Sequence, residues 1–200
     1  MNRFGITSLI LLTLVGCAAS TEQRLDQWRA ESPFAWQGGD GESAIRALAD
    51  GSDGGGLKYG RDARTALRTG GTDAIPFLIA HIDNPTPSWY RSYTVGQVCQ
   101  RMLQSMIDPW TGKGSQLRWR EEMWSSSDPQ QELVAWWVDH RHLSLSQIHL
   151  IVVDERLRDL MDSDLSGDDR QRGLENLTED RRRIMEWLEQ QKTAETNALR

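Results

Sequence analysis

"SAIRALADG", Ser43 to Gly51, is echoed by "DAIPFLIAH", Asp73 to His81. Ala44 and Ala74, Ile45 and Ile75, and Leu48 and Leu78 coincide at an offset of thirty residues, and the same offset carries Arg61 onto Arg91. Self-similarity at a fixed period of this size points to stacked helical units, each unable to bury its apolar face alone. Each unit reads as an apolar first helix, a turn rich in Gly, Pro and Asp ("DGSDGGG", "DNPTP"), an Arg, and a second helix ("RDARTALRTG", "YRSYTVGQVCQRMLQSM"). The spacing predicts an all-α fold.

Over residues 42 to 107 this pattern resembles short HEAT-like repeats, which implies helical hairpins stacked on their neighbours. Two units are too few for a free-standing solenoid, so the Trp-rich helices after residue 115 are expected to complete the core. "SSSDPQQELVAWWVDH" supplies Asp128 as N-cap, Pro129 at the first helical position and Gln131 at the third, then Leu133, Trp136, Trp137 and His140 at helical spacing. Ser144 and Gln147 repeat that start signal for "LSQIHLIVVDERLRDLMD". Its "IHLIVV" is β-branched enough for a strand, but the apolar positions from Ile148 to Met161 run past strand length, which favours helix. "TEDRRRIMEWLEQQK" offers Thr178 as cap and Ile184, Trp187 and Leu188 as the buried stripe.

Toward the N-terminus, "MNR" is followed by the uncharged stretch "FGITSLILLTLV". That is a signal-peptide layout of about twelve apolar residues, too short for a bilayer-spanning helix of about 20. Leu14-Val15-Gly16-Cys17 resembles the lipobox of bacterial lipoproteins. The resemblance implies cleavage after Gly16, diacylglycerol on the Cys17 sulfur and, commonly, an acyl chain such as palmitate on the freed amine. Two or more chains, at about 0.8 kcal/mol per buried CH₂, anchor a protein stably where one does not. Ala18 after Cys17 implies the cell outer membrane, on its periplasm side or beyond, in an organism that has one. The chain thus divides into a signal peptide (1–16), a lipidated tether (17–40) with room for the short helix "TEQRLDQWRAE", an all-α domain (41–192) and a tail (193–200). Within the domain lie HEAT-like repeats (41–107), a Trp-rich loop region (108–127) and C-terminal helices (128–192).

The formal charge is −6, and cleavage removes one cation, Arg3, and no acid. This balance argues against nucleic acid as a partner, since phosphate contacts need a basic face. With Cys17 lipidated, Cys99 has no disulfide partner; one turn from Val95 and Leu103, it reads as a small buried apolar residue.

Nine tryptophans are the compositional outlier. Trp110, Trp119 and Trp124 gather in "DPWTGKGSQLRWREEMWSSSDP" as a candidate surface for a protein or an envelope polymer, because rigid indoles bury much area at little entropic cost. Trp119 falls in a helical pattern, whereas the Pro, Gly and Ser around Trp110 and Trp124 predict that those two are exposed. In "DSDLSGDD", Asp162, Asp164 and Ser166 alternate as oxygen ligands before Gly167, which resembles the first half of an EF-hand calcium loop. The likeness ends at the twelfth position, Gly173, where a bidentate Glu is required. His140 and His142 are two apart, on nearly opposite sides of a helix, and His149 begins another element, so no shared metal site is expected. No G-x-S-x-G, H-E-x-x-H or Cys–His constellation is present, and Glu121 and Glu122, adjacent on a helix, diverge too far for paired glycosidase chemistry. The sequence therefore predicts a non-enzymatic binding module on an envelope lipoprotein. Its alternatives are an enzyme acting on peptidoglycan or glycan and a calcium-binding structural module.

Overall fold

The computed structural model describes residues 19–49, 56–90, 92–109 and 119–198, and it is all-α apart from one two-residue hairpin. Helix α1 (Thr21–Glu31) starts at a capping box, with Ser20 Oγ accepting from the Gln23 amide at 3.2 Å and the Ser20 amide donating to Gln23 Oε1 at 3.0 Å. Leu25 and Trp28, three residues apart and so on one face, are buried. They hold α1 against two helices of the domain, α4 (Ile75–Ala80) and α7 (Pro129–His140). Residues 20–31 are thus part of the packed domain and not of a tether, a correction to the expected boundary at residue 41. Strands β1 (Ala35–Trp36) and β2 (Gly39–Asp40) form a tight hairpin. Gly39 there has φ of 127°, open to glycine but strained for other residues.

Asp40 then caps α2 (Gly41–Arg46), accepting from the Ser43 amide at 2.9 Å. Helix α2 packs on α3 (Gly56–Thr69), a 3₁₀ turn (Gly71–Ala74) leads into α4, and α4 packs on both α2 and α5 (Val95–Ile107). Two helix pairs stand in succession, but not at the expected thirty-residue offset: α4 begins 34 residues after α2 and α5 39 residues after α3. Ala44 and Ile45 thus lie near the end of α2 while Ala74 and Ile75 lie at the start of α4, and the expected equivalence of the two units is corrected. Ala44, Ala74, Ile45, Ile75, Leu48 and Leu78 are all buried. The first helices are only six residues each, and Leu48 lies in the turn after α2. The second unit's last helix begins at Val95 and not at Tyr90, because Thr94 and Gln97 form a capping box. Arg91 lies outside the described residues, so the Arg61 match has no structural counterpart to compare.

The connection between α4 and α5 is held tightly. The Gly96 amide donates to the Asn84 carbonyl at 2.9 Å, and a Cβ at Gly96 would come within 2.2 Å of the Ile82 carbonyl oxygen. Because that obstacle is backbone, Gly96→Ala is expected to cost at least the roughly 1–3 kcal/mol of an overpacked core, measured as a fall in the denaturant midpoint at constant slope.

Beyond residue 118 come α6 (Glu121–Trp124), α7, α8 (Leu145–Met161) and α9 (Gly167–Ala198). The caps of α7 and α8 match their sequence signals: Asp128 Oδ1 accepts from Gln131, and Ser144 and Gln147 form a capping box. The segment "IHLIVV" is helical. Thr178, expected as a cap, lies inside α9. That helix starts eleven residues earlier, at Gly167, where Ser166 Oγ accepts from the Asp169 amide at 3.3 Å. Gly173 lets α9 close on Leu160 of α8, and Arg181 pairs with Asp154 at 2.6 Å, so the two helices run antiparallel. This register sets Leu145 opposite about residue 190 of α9, so residues 191–198, all exposed, extend past α8 as helix where a tail was expected. Among the described residues no helix is long and apolar enough to cross a membrane.

Candidate functional site

Four tryptophans meet where α6, α7 and α8 converge. Trp119, in the turn before α6, stands edge-on to Trp124 and to Trp136, with centroids 6.4 and 5.4 Å away, and Trp136 lies 6.1 Å from Trp137. Two of the four indole N–H groups bond to protein, whereas the buried Trp136 Nε1 has no hydrogen-bond partner among the described residues. Trp119 Nε1 donates to Glu155 Oε2 at 2.6 Å, and Trp124 Nε1 donates to the Trp119 carbonyl at 3.2 Å. Trp119 is 1% exposed and Trp124 9%. The expected exposure of Trp124 is therefore corrected, since it faces inward from a one-turn helix, while Trp119, expected in a helical pattern, is buried but sits in a turn. A short helix between polar loops still turns its widest side chain toward the core, where indole burial is most favourable. Trp110 lies outside the described residues, as do Cys17 and the rest of residues 1–18.

Beside this cluster opens a cleft of about 440 Å³ whose walls include Arg120, Glu122, Glu132, Trp136, Asp139 and His140. Glu132, Trp136, Asp139 and His140 share a face of α7 through their three- and four-residue spacing. His140 stacks on Trp136 at 4.4 Å, and its Nδ1 lies 2.7 Å from the Trp136 carbonyl. A carbonyl only accepts, so Nδ1 carries a proton in this contact. Arg120 has φ 45° and ψ 53°, the one left-handed residue other than glycine among the described residues. That conformation costs about 1–2 kcal/mol for an L-residue. It is held by a two-pronged grip, Nε and Nη2 to the Glu155 carboxylate at 3.1 and 2.9 Å. Burial works to raise the Glu155 pKa, but the Arg120 and Trp119 donors outweigh it and hold the carboxyl below its usual value.

A second, shallower cleft of about 340 Å³ lies between α1 and α7, walled by Trp28, Glu31, Asp73, Trp137, Arg141 and His142. Arg141 pairs with Glu31 at 3.0 Å and sits 5.8 Å over the Trp28 ring. His140 and His142 thus line different clefts, and His149 is elsewhere again, its Nε2 donating to the Met106 carbonyl at 2.6 Å. Asp162 caps α8, Ser166 caps α9 and Gly167 is the first residue of that helix, so the "DSDLSG" segment forms an interhelical turn. Among the described residues no group of three or more His, Cys, Asp or Glu is placed to hold a metal ion. Cys99 is fully buried in α5, and burial pushes its thiol up to about 12. Glu122 lines the first cleft, while its neighbour Glu121 does not.

Among the described residues, the first cleft gathers three carboxylates, a guanidinium already engaged and one imidazole, groups able to hold a polar or cationic partner. Sequence reading missed Arg120 and Glu155 because their pairing spans 35 residues and no local pattern announces it. No family model, curated protein or solved structure matches the chain.

Proposed function

We propose that this chain is a membrane-anchored bacterial lipoprotein serving as a non-enzymatic helical scaffold or binding module at the cell envelope. The observation that carries the reading is the position of the first helix. The capping box at Ser20 opens the packed domain only three residues after Cys17 of the lipobox. Three peptide units reach at most about 11 Å, so acyl chains on Cys17 would hold the domain directly against the bilayer. The stacked pairs α2–α3 and α4–α5 supply an all-α scaffold, and the overhanging end of α9 extends it. In this reading the bound partner is a protein or an envelope polymer.

Cys17→Ser is expected to abolish incorporation of labelled palmitate and to leave the unprocessed precursor, read by mass spectrometry of the intact chain. Undiminished labelling in that variant would sink the anchor. A second reading, an envelope enzyme acting on peptidoglycan or glycan, draws on the carboxylates that the first cleft brings to Trp136. Release of soluble sugar from purified peptidoglycan, lost in Asp139→Asn and Glu132→Gln, would favour it over the scaffold.

A further inference from the structure

Lys58, Arg61, Arg64 and Arg68 stand exposed along α3, and none makes an ion pair with a described residue. Elsewhere Arg29 pairs with Asp26 and Glu42, Arg141 with Glu31, Arg156 with Asp108, and Arg182 and Arg183 with Glu179, while Arg24, Arg46, Arg101, Arg158, Arg170 and Lys192 also make no ion pair with a described residue. In a chain of formal charge −6, what sets α3 apart among the described helices is that it lines three such guanidinium groups along one face.

Leu57, Arg61, Arg64 and Arg68 follow one another at four, three and four residues, which lines them along a single side of the helix. At 1.5 Å per residue the three guanidinium groups occupy about 10 Å of its length, and Lys58 flanks them. Gly60, Ala63 and Leu67 are buried on another side, so the stripe cannot roll inward. Like charges three and four apart repel and destabilise a helix, so the stripe weakens the fold unless something outside neutralises it.

Apolar groups gather at the same end. Leu57 is 64% exposed and Tyr59 60%. Trp89 lies so close to Gly60 that a Cβ there would meet its ring at 2.2 Å, which brings Trp89's neighbour Tyr90, 51% exposed, to the start of α3. Tyr90 stacks on Tyr93 at 5.2 Å, and Arg101 covers Tyr93 at 4.0 Å. The exposed Leu57, in line with the row of cations, suits an interface of headgroup and acyl chain, where cations meet lipid phosphates; Tyr59, two residues before Arg61, lies on nearly the opposite side of α3.

We propose that α3 is a second membrane contact, its Arg61–Arg64–Arg68 stripe docking on anionic phospholipid headgroups. The choice of lipid as the occupant rests on the anchoring of Cys17; the unmatched charge does not. Such contacts strengthen binding by roughly fivefold per cation near an anionic surface.

The test is sedimentation of the full chain, with and without Cys17→Ser, on vesicles of phosphatidylcholine alone or mixed with phosphatidylglycerol. The triple variant Arg61→Glu/Arg64→Glu/Arg68→Glu is expected to lose roughly a hundredfold in partitioning onto the mixed vesicles. It should keep the wild-type value on phosphatidylcholine, and the difference should vanish near 1 M salt, where screening acts within about 3 Å. Reversing Arg172, Arg182 and Arg183 changes net charge equally but should leave partitioning near wild type. Equal losses in the two triples, no loss in the first, or tight oligonucleotide binding without a phosphatidylglycerol preference would each overturn the proposal. Should the triple variant not fold, Arg64→Gln and Arg68→Gln singly should each lose about fivefold. Absence of acyl chains on wild-type Cys17, read by mass spectrometry, would remove the anchor while the phosphatidylglycerol preference still reports on α3.

Discussion

Trp119→Ala is expected to lower the unfolding free energy by about 3–5 kcal/mol, the range for removing a buried aromatic ring. Trp119 is 1% exposed and bridges two other indoles, so its loss opens a cavity that α6, α7 and α8 cannot all close. It also removes one of the donors that hold the Glu155 carboxylate beneath Arg120. For a domain of this size the loss corresponds to a fall in Tm of roughly 6–20 °C, measured by calorimetry. Trp119→Phe keeps most of the packing and loses the indole donor, so it should cost less than half as much. A Tm change under about 2 °C for Trp119→Ala would instead place this ring at the periphery, where a role in binding becomes tenable.

That outcome bears on why the helices were legible in the sequence and the site was not. Caps are local: Asp128 with Gln131 and Ser144 with Gln147 declare helix starts within four residues, and both appear where the spacing puts them. The core periodicity of Ala44, Ile45 and Leu48 against Ala74, Ile75 and Leu78 is equally short-range. Thr178 misled because a good cap residue says where a helix can start, and it was overruled by α8, which supports α9 on both sides of that position through Gly173 and Arg181. The tryptophans misled for a related reason. Pro, Gly and Ser around Trp124 mark irregular backbone, and irregular backbone was equated with exposure. The partners that bury these rings, Trp136 and Glu155, come from helices that the local sequence does not specify. The Arg61, Arg64 and Arg68 stripe was visible in the sequence, but its meaning depends on the lack of ion-pair partners among the described residues, which only the folded chain reveals.

Arg156→Leu should be the other severe substitution, costing about 3–5 kcal/mol, the penalty for leaving one member of a buried ion pair behind. Both side chains are 3% exposed, and Arg156 Nη1 donates to both Asp108 oxygens at 2.7 and 2.5 Å. The pair joins two helix surfaces: Asp108 is the C-cap of α5, its amide donating to the Gln104 carbonyl, and Arg156 lies on α8. Because an apolar pair of similar volume is often as stable as a buried ion pair, Asp108→Leu/Arg156→Met should recover much of the loss, and a double-mutant cycle measures how much. If the double variant is as unstable as the sum of the singles, the pair contributes little beyond the packing of each side chain.

Acid titration supplies an independent readout of the same region. Burial lowers the His149 pKa, partly offset by the Met106 carbonyl and the Asp108 charge. A histidine whose folded pKa is depressed binds its proton more readily when unfolded, so stability is lost as pH falls from about 6.5 toward the folded value. Asp108→Leu removes a charge that favours the imidazolium, depresses the folded pKa further and should steepen that acid-side loss relative to wild type.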